Sequence, residues 1–381
     1  MHFHSLKVAQ FRNIRRFEGR LSPSVNIFLG ENGQGKTNLL EALYVLGKGQ
    51  SFRPVQTDSF LPRGMEDSLG PYSFVGAEIA DRETQRKLEF KQQDSRKSWI
   101  LDGKKVSRGT VTKTFPMVLF SPESLSSIKD GPEQRRLLLD EALCTHNPQK
   151  SPLLLQYKKV LRSRNRVLKE LKKAEGPITS HLDVLDSLSE PFIDAAAALS
   201  LQRIEVLKAL EPYFKQAMLF IQGKDLALES RYLISETSAM QWDRAKIEQS
   251  LRKRMTELSS AERQSGISLV GPHKHDVRFL LKGEDSRFFG SQGQQRAIIL
   301  SFKMAQIMYH YQAYGQYPVL FLDDVLSELD EQKRSHLVSF LSDIQAQIFL
   351  TTTDLNFNWG EKHLSVFNVD DGQITPLGKE A

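Results

Sequence analysis

The chain of 381 residues contains one cysteine, Cys144, so no disulfide can form within it. That excludes the disulfide-stapled class of secreted domains and fits a reducing compartment. Cys144 lies in the apolar-rich stretch Leu137–Cys144 and reads as a small packed side chain, not a nucleophile. Long hydrophobic runs are also missing. No stretch approaches the roughly 18 apolar residues that a membrane-crossing helix needs. Met1 to Arg20 carries charges and lacks the apolar segment of a signal peptide. These absences predict a soluble, cytoplasmic protein with no membrane partner. Repeats and low-complexity segments are absent as well. What remains is ordinary for a globular protein, with 40% hydrophobic and 26% charged residues. The length provides for one large or two to three ordinary domains. A net charge of +6 permits a polyanionic partner without requiring one.

Three stretches differ in character. Met1 to about Phe120 is strand-rich, with strands expected at Leu6–Phe11, Val25–Leu29, Tyr72–Ile79, Arg86–Lys91, Ser98–Leu101 and Met117–Phe120, and one helix at about Lys36–Leu46. Asp102–Gly103 signals a hairpin, because glycine accepts the positive φ of a type I′ turn. From about Glu123 to Ala261 helical periodicity dominates, over Glu133–Leu143, Leu153–Ala174, Leu182–Phe220 and Trp242–Leu258. Gly176–Pro177 should break the second helix from the third, and Pro191 and Pro212 should mark a start or a kink. Ser268 to Ala381 returns to alternation: a long helix at about Gln294–Tyr311, a strand Val319–Leu322, a helix at about Glu331–Leu341 and a strand Gln347–Leu350.

Gly30-Glu31-Asn32-Gly33-Gln34-Gly35-Lys36-Thr37 matches the phosphate-loop pattern G-x-x-x-x-G-K-[ST]. The apolar strand Val25–Leu29 leads into it and a helix with an apolar face (Leu39, Leu40, Leu43, Leu46) leads out, which is the setting such a loop requires. Glycines let backbone N–H groups turn toward phosphate oxygens, and the helix N-terminus adds partial positive charge. Lys36 should reach the β- and γ-phosphates of a nucleotide, and the Thr37 hydroxyl should ligate Mg²⁺. Val319-Leu320-Phe321-Leu322-Asp323-Asp324 is an all-apolar run ending in two acids. Such a run suits a strand buried on both faces of a parallel sheet, with its acids at the C-terminal end where ligands bind. Asp323 should hold Mg²⁺, and Asp324 should orient or deprotonate the attacking water. By itself a strand ending in two aspartates is a solvated turn. The phosphate loop in the same chain changes that reading.

Gly290-Ser291-Gln292-Gly293-Gln294-Gln295-Arg296 opens a long helix and, taken alone, is a helix cap. Its place in the order phosphate loop, helical insertion, Ser-x-Gly-Gln helix start, carboxylate strand resembles ABC-type ATPases of the SMC branch. Phe11-Arg12-Asn13, Gly30 through Ala42, Ser51-Phe52-Arg53, Gly131-Pro132 with Arg135-Arg136, Tyr157 through Lys169, Gly271-Pro272-His273, Ser291 through Arg296, and Leu322 through Asp330 all look like blocks of the RecF family, in family order.

The resemblance implies an α/β fold: a P-loop ABC/SMC-type ATPase head, residues 1–122 and 262–381, interrupted by a helical lid/arm domain, residues 123–261. It implies an ATP-dependent homodimer that binds duplex or gapped DNA and works with RecR and RecO, indirectly with RecA, in recombinational repair and the SOS response. Ser291, Gly293 and Gln294 would meet the γ-phosphate of ATP held by the other copy. Ser327–Asp330 would be the D-loop, and Ser121–Glu123 stands where a Q-loop would fall. Two departures imply slow hydrolysis: Asp324 stands where most ABC ATPases have glutamate, and Thr353 stands where many have a switch histidine. Lys274-His275-Asp276 departs from the basic-acidic-acidic run expected after Gly-Pro-His.

Lys158, Lys159, Arg162, Arg164, Arg166, Lys169, Lys172 and Lys173 crowd one expected helix, with Glu170 the one acid among them. Leu154, Leu161 and Leu168 give it an apolar face. Such runs are usually a solvated helix face. The one-signed excess here makes Lys158, Lys159, Arg162, Arg166 and Lys169 candidates for DNA phosphate contact. With no recognition-helix motif, binding should read backbone and shape. Two other classes compete: the soluble subunit of an ABC transporter, and a small-molecule P-loop kinase. The first predicts a membrane partner and a shorter insertion. The second would have no use for a Ser-x-Gly-Gln helix start.

Overall fold

Alternating burial in the first strand shows how the sheets are built. In His2–Phe11, Phe3, Leu6, Val8 and Phe11 are buried, and a register shift between Phe3 and Ser5 reconciles the change of phase. The computed structural model describes residues 2–53, 60–61, 72–80, 84–173 and 179–377, and these divide into two compact units.

The first unit comprises Met1–Leu125, Phe220–Gly223 and Gln306–Ala381. Among its described residues are two six-stranded sheets. One is antiparallel, in the order Ile14–Arg20, His2–Phe11, Tyr72–Ala80, Gln85–Gln93, Arg96–Leu101, Lys104–Val106. Asp102 and Gly103 have φ of 50° and 77°, as the expected type I′ turn requires. The other sheet runs Gln373–Leu377, Leu364–Asp370, Val25–Leu29, Ile348–Thr352, Val319–Asp323, Met117–Phe120, parallel except for its last hairpin. Its central strands are buried along their whole length, which is why they read as near-continuous apolar runs. Phe3, Phe28, Phe321, Phe349 and the inner face of the helix Lys36–Lys48 share one core cluster.

The second unit comprises Ser126–Leu219 and Lys224–Ala305. It contains the helices Pro132–His146, Ser151–Lys173, Thr179–Ser187 and Arg244–Ser265, most of Ser189–Gln222, and the first part of Gln292–Tyr314. Pro212 lies inside Ser189–Gln222 without ending it, and Pro191 sits in its first turn. The expected break at Gly176–Pro177 lies outside the described residues.

Two points go beyond the expectations. The insertion, expected to be mostly helical, also contains the strand Leu228–Ile234, central with Asp276–Leu281 in a four-stranded antiparallel sheet. The boundary at residue 262 therefore does not separate the compact units. Pairing of Asp276–Leu281 with Leu228–Ile234 ties residues 262–305 to the helical unit instead. The strands Ile14–Arg20, Leu364–Asp370 and Gln373–Leu377 also go beyond the sequence reading, because each mixes apolar with polar or charged residues over a short span.

Polar side chains hold the interior of the second unit. Arg135 forms a two-bond pair with Asp276 (2.9 and 2.9 Å), and Arg203 forms one with Asp140 (2.8 and 2.9 Å). Burial opposes the charge of Arg203, but Asp140 beside it holds the guanidinium pKa above its ordinary value. Arg203 also donates to the Pro272 carbonyl, and Arg136 to the His275 carbonyl. These contacts explain the Gly131–Arg136 and Gly271–His273 blocks as framework. The departure at Lys274-His275 is accommodated in the same network: Lys274 is exposed, and His275 is buried with Nδ1 2.9 Å from the Tyr232 hydroxyl.

His273 Nε2 donates to the Ser268 carbonyl at 2.9 Å, which leaves Nδ1 to accept from the Tyr157 hydroxyl at 2.5 Å. Burial pushes the His273 pKa down to about 4 and that of His275 well below its usual value. Both rings are therefore neutral in the fold and protonate first in the unfolded chain. Their contribution to stability is complete above about pH 6.5 and is lost as pH falls toward 4. For His273 the shift corresponds to about 3 kcal/mol. Urea unfolding followed by circular dichroism should show stability dropping between pH 6.5 and 4.5, and the drop should flatten in His273→Gln/His275→Gln.

Candidate nucleotide-binding site

The phosphate loop follows the strand Val25–Leu29 and ends where the helix Lys36–Lys48 begins. Gly30, Gly33 and Gly35 have φ of 158°, 84° and 112°. Lys36 is nearly buried and folds back over the loop, its Nζ donating to the carbonyls of Gly30 (2.7 Å) and Glu31 (2.9 Å). Burial lowers its pKa, while the charges of Asp324, Glu31 and Asp323 act to raise it. The expected lysine and both expected aspartates thus fall within one electrostatic neighbourhood.

The sheet register brings them together. Ile348–Thr352 lies between Val25–Leu29 and Val319–Asp323, and Thr351 is paired with Phe28 on one side and Asp323 on the other. Thr351 Oγ1 donates to Asp323 Oδ1 (3.0 Å) and accepts from the Asp324 backbone N–H (2.8 Å). Asp324 has a φ of 51°, a left-handed conformation held by that bond and by its carbonyl, which accepts from Ser327 Oγ at 2.7 Å. Asp323 is buried, and burial raises its pKa; hydrogen bonds from Thr37 and Thr351 and the charge of Arg53 oppose this, while Glu123 adds to it. The Ser121–Glu123 region therefore comes within electrostatic reach of Asp323.

A second set of polar residues surrounds the loop. Arg12 pairs with the fully buried Glu41 (3.1 and 2.9 Å), and Ser51 Oγ donates to the same carboxylate at 2.5 Å. Arg53 Nη1 donates to Asn38 Oδ1 (2.9 Å), Asn38 Nδ2 to Asn13 Oδ1 (2.7 Å), and Asn13 Nδ2 to the Gln34 carbonyl (3.2 Å). This network joins the Phe11–Asn13 and Ser51–Arg53 blocks to the phosphate loop. Sequence reasoning quoted those blocks without seeing what they do. Thr351 escaped it altogether, and Glu41 entered only as part of the Gly30–Ala42 block, since a threonine in a strand and a glutamate in a helix carry no signal of their own.

The remaining expected residues are placed as follows. Thr353 is exposed in the bend after Ile348–Thr352. Leu326–Glu328 is a single 3₁₀ turn with Ser327 exposed. Asp330 caps the helix Glu331–Asp343, its Oδ1 accepting from the Lys333 N–H at 2.9 Å. In the second unit, Ser291 and Gln294 form a reciprocal cap. Gln294 N–H donates to Ser291 Oγ (3.2 Å), and Ser291 N–H to Gln294 Oε1 (2.9 Å). Gln295 Nε2 ties the turn before it by donating to the Ser286 carbonyl at 2.8 Å. Ser291 is exposed, and Gly293 and Gln294 are half-buried.

On the helix Ser151–Lys173, Lys158, Lys159, Arg162, Arg166, Lys169, Lys172 and Lys173 are exposed. Arg164 does not belong with them. It turns inward to pair with Glu262 (2.7 Å) and to donate to Ser268 Oγ (2.6 Å). Arg162, Arg166, Lys169 and Lys173 line a surface groove of about 430 Å³ together with Asn165 and Glu170.

Nucleotide and Mg²⁺ fit this donor set. A Cβ at Gly33 would meet open space, so backbone there is free to approach a ligand. The cation position is flanked by a hydroxyl and a carboxylate, hard oxygen donors of the kind Mg²⁺ uses beside phosphate. Among the described residues no cluster of His, Cys, Asp or Glu offers an all-protein metal site, and no helix is long and apolar enough to cross a membrane.

Comparison with known proteins gives the same class. The model of the RecF/RecN/SMC N terminal domain matches residues 2–375. A solved Smc head bound to the C-winged helix domain of ScpA covers all of this chain and 99% of its own, at TM-score 0.54 and 13% identity, which speaks to the fold alone. Fold and site together define an ABC/SMC-type ATPase fold. A structure of the recombination mediator protein RecF with ATP, in the RecFOR pathway, is 30% identical with TM-score 0.86, covering 99% of this chain and 98% of that one. The DNA replication and repair protein RecF of Heliobacterium modesticaldum is 34% identical over 98% of this chain and 99% of its own length, and that of Listeria monocytogenes serotype 4b is 34% identical over 98% and 99%. The chain belongs to the RecF family.

The buried Glu41 offers a test of the frame around the loop. Arg12→Ala leaves that carboxylate without its cation and should cost about 3 kcal/mol in a denaturant titration. Ser51→Ala, which removes one hydrogen bond to a charged group, should cost about 1.5 kcal/mol.

Proposed function

We propose that this chain is an ATP-operated DNA-binding protein of recombinational repair and replication. Two copies pair around ATP and hold duplex or gapped DNA. With RecO and RecR they promote RecA loading and the SOS response. The work is done in the cytoplasm, at the nucleoid. The observation that carries the reading is the convergence of Lys36, Thr37, Asp323 and Asp324 at the ends of two strands that flank Ile348–Thr352. Family membership supports the DNA-repair role.

Each residue has a part in this reading. Residues Gly30 to Gly35 present backbone N–H groups, and Lys36 exchanges the Gly30 and Glu31 carbonyls for phosphate oxygens. Thr37 and Asp323 hold Mg²⁺. When bound, ATP supplies the γ-phosphate charge that a second copy recognises. Ser291, Gly293 and Gln294 of that copy meet the charge from an exposed helix start. Asp330 and Ser327 lie in the segment that crosses between copies. Asp324 accepts the proton of the attacking water. A short acid at that position and a hydroxyl at Thr353 make turnover slow, so the protein acts as a switch. Lys158, Lys159, Arg162, Arg166 and Lys169 contact DNA phosphates, and the loss of Arg164 from the exposed set does not change the sign of that surface.

Gel filtration with ATP, Mg²⁺ and gapped DNA tests the reading. The wild-type chain should elute as a dimer with nucleotide and as a monomer without it. Lys36→Met should abolish the shift, and Lys36→Arg should keep part of it while losing hydrolysis. Elution unchanged by both substitutions would defeat the mechanism, and a phosphorylated small-molecule product would favour the kinase instead.

A further inference from the structure

We propose that Asn13 and the turn Asp370–Gly372 form a clamp that sets the phosphate loop in its binding conformation before any nucleotide arrives. The inference rests on reading Gly30–Thr37 as the nucleotide site. The turn joins Leu364–Asp370 to Gln373–Leu377, and so is distant in sequence from the loop it meets.

Three donors converge on one loop residue. The Gln34 carbonyl accepts from the Gly372 N–H (2.8 Å) and from Asn13 Nδ2 (3.2 Å), which fills both of its lone pairs. The Gln34 side-chain oxygen accepts from the Asp371 N–H at 2.7 Å. Asp371 and Gly372 have φ of 43° and 72°, the left-handed conformation of a tight Asp-Gly hairpin turn, which aims both N–H groups at Gln34.

Close approach then divides the glycines of the motif into two kinds. A Cβ on Gly30 would lie 2.2 Å from the Val369 carbonyl oxygen, and one on Gly35 would lie 2.7 Å from both polar atoms of the Asn13 side chain. A Cβ on Gly372 would lie 2.2 Å from the Asn13 carbonyl oxygen. At Gly30 and Gly35 the missing side chain is therefore replaced by the clamp and the strand leading to it. Gly33 alone of the three faces open space. Exposed Glu31, Asn32 and Gly33 are left to adapt to a ligand, while Gln34 and Gly35 are fixed.

A loop held this way spares the ligand the work of ordering it. If the clamp is released, the binding-competent conformation becomes a fraction of the population and apparent affinity falls by that fraction. Asn13 and Gly372 are thus positioning residues, acting through Gln34. Asn13 also accepts from Asn38, which accepts from Arg53, so the same residue links the loop to a cation whose charge reaches Asp323.

The test uses Asn13→Ala and Gly372→Ala in the full chain, each read three ways. Without nucleotide, hydrogen exchange of the peptide spanning Gly30 to Lys36 should speed up about tenfold, while the strands Val319–Asp323 and Ile348–Thr352 exchange as in the wild type. A fluorescent ATP analogue should bind about fivefold to tenfold more weakly, chiefly through slower association. The thermal midpoint of Asn13→Ala should stay near that of the wild type, which a general packing defect would not allow, whereas Gly372→Ala, with its positive φ and a Cβ against the Asn13 carbonyl, should lower it. Loop exchange unaltered in both variants, or faster exchange with affinity within about twofold of wild type, would overturn the clamp. A wild-type chain that binds no nucleotide while its loop is protected would overturn the nucleotide reading itself, and with it the purpose assigned to the clamp.

Discussion

Everything at the candidate site depends on the pairing of three parallel strands in one register. Ile348–Thr352 sits between Val25–Leu29 and Val319–Asp323, so the phosphate loop and the two aspartates leave the same end of the sheet on either side of it. Thr351 fixes the spacing from the middle strand by bonding both Asp323 and the backbone of Asp324. A slip of one residue in either pairing would turn Thr351 to the other face and separate Lys36 from its acids. Full burial of the strands enforces the register, because any shift would trade packed apolar side chains for others of different size.

The two units solve a shared problem in opposite ways. In the first, polar residues gather at the rim of an apolar core, where Glu41, Asn13 and Asn38 shape a loop that must stay open to ligand. In the second, Arg135, Arg203, Asp140 and Asp276 lie inside, each charge matched by a partner with two hydrogen bonds. Buried pairs of this kind contribute little net stability but penalise any arrangement that separates them. They make one packing of helices and sheet far better than its competitors, and they leave the exposed face of Ser151–Lys173 free to carry cations.

Much of this was legible beforehand. The strand Val25–Leu29, the loop and the helix after it announce themselves by period and glycine spacing, and Met117–Phe120 and Val319–Asp323 by apolar runs with clear stops. Leu228–Ile234 was not, because LESRYLI is short, lies between two helices and carries Glu229 and Arg231 among its apolar residues. Arg164 looked like one more surface cation until its partner Glu262 was seen about a hundred residues away, a separation no local pattern reports. The clamp was invisible for the same reason: Asp371–Gly372 reads as an ordinary turn, and its meaning lies in what the turn touches.

The central claim is that Asp323, set by the sheet register beside Thr37, holds the cation that accompanies nucleotide. Calorimetric titration of ATP with and without Mg²⁺, in the wild type and in Asp323→Asn, tests it most directly. The account predicts that Mg²⁺ tightens binding to the wild type and that Asp323→Asn keeps the Mg²⁺-free affinity while losing the tightening. Equal Mg²⁺ dependence in both proteins would contradict it.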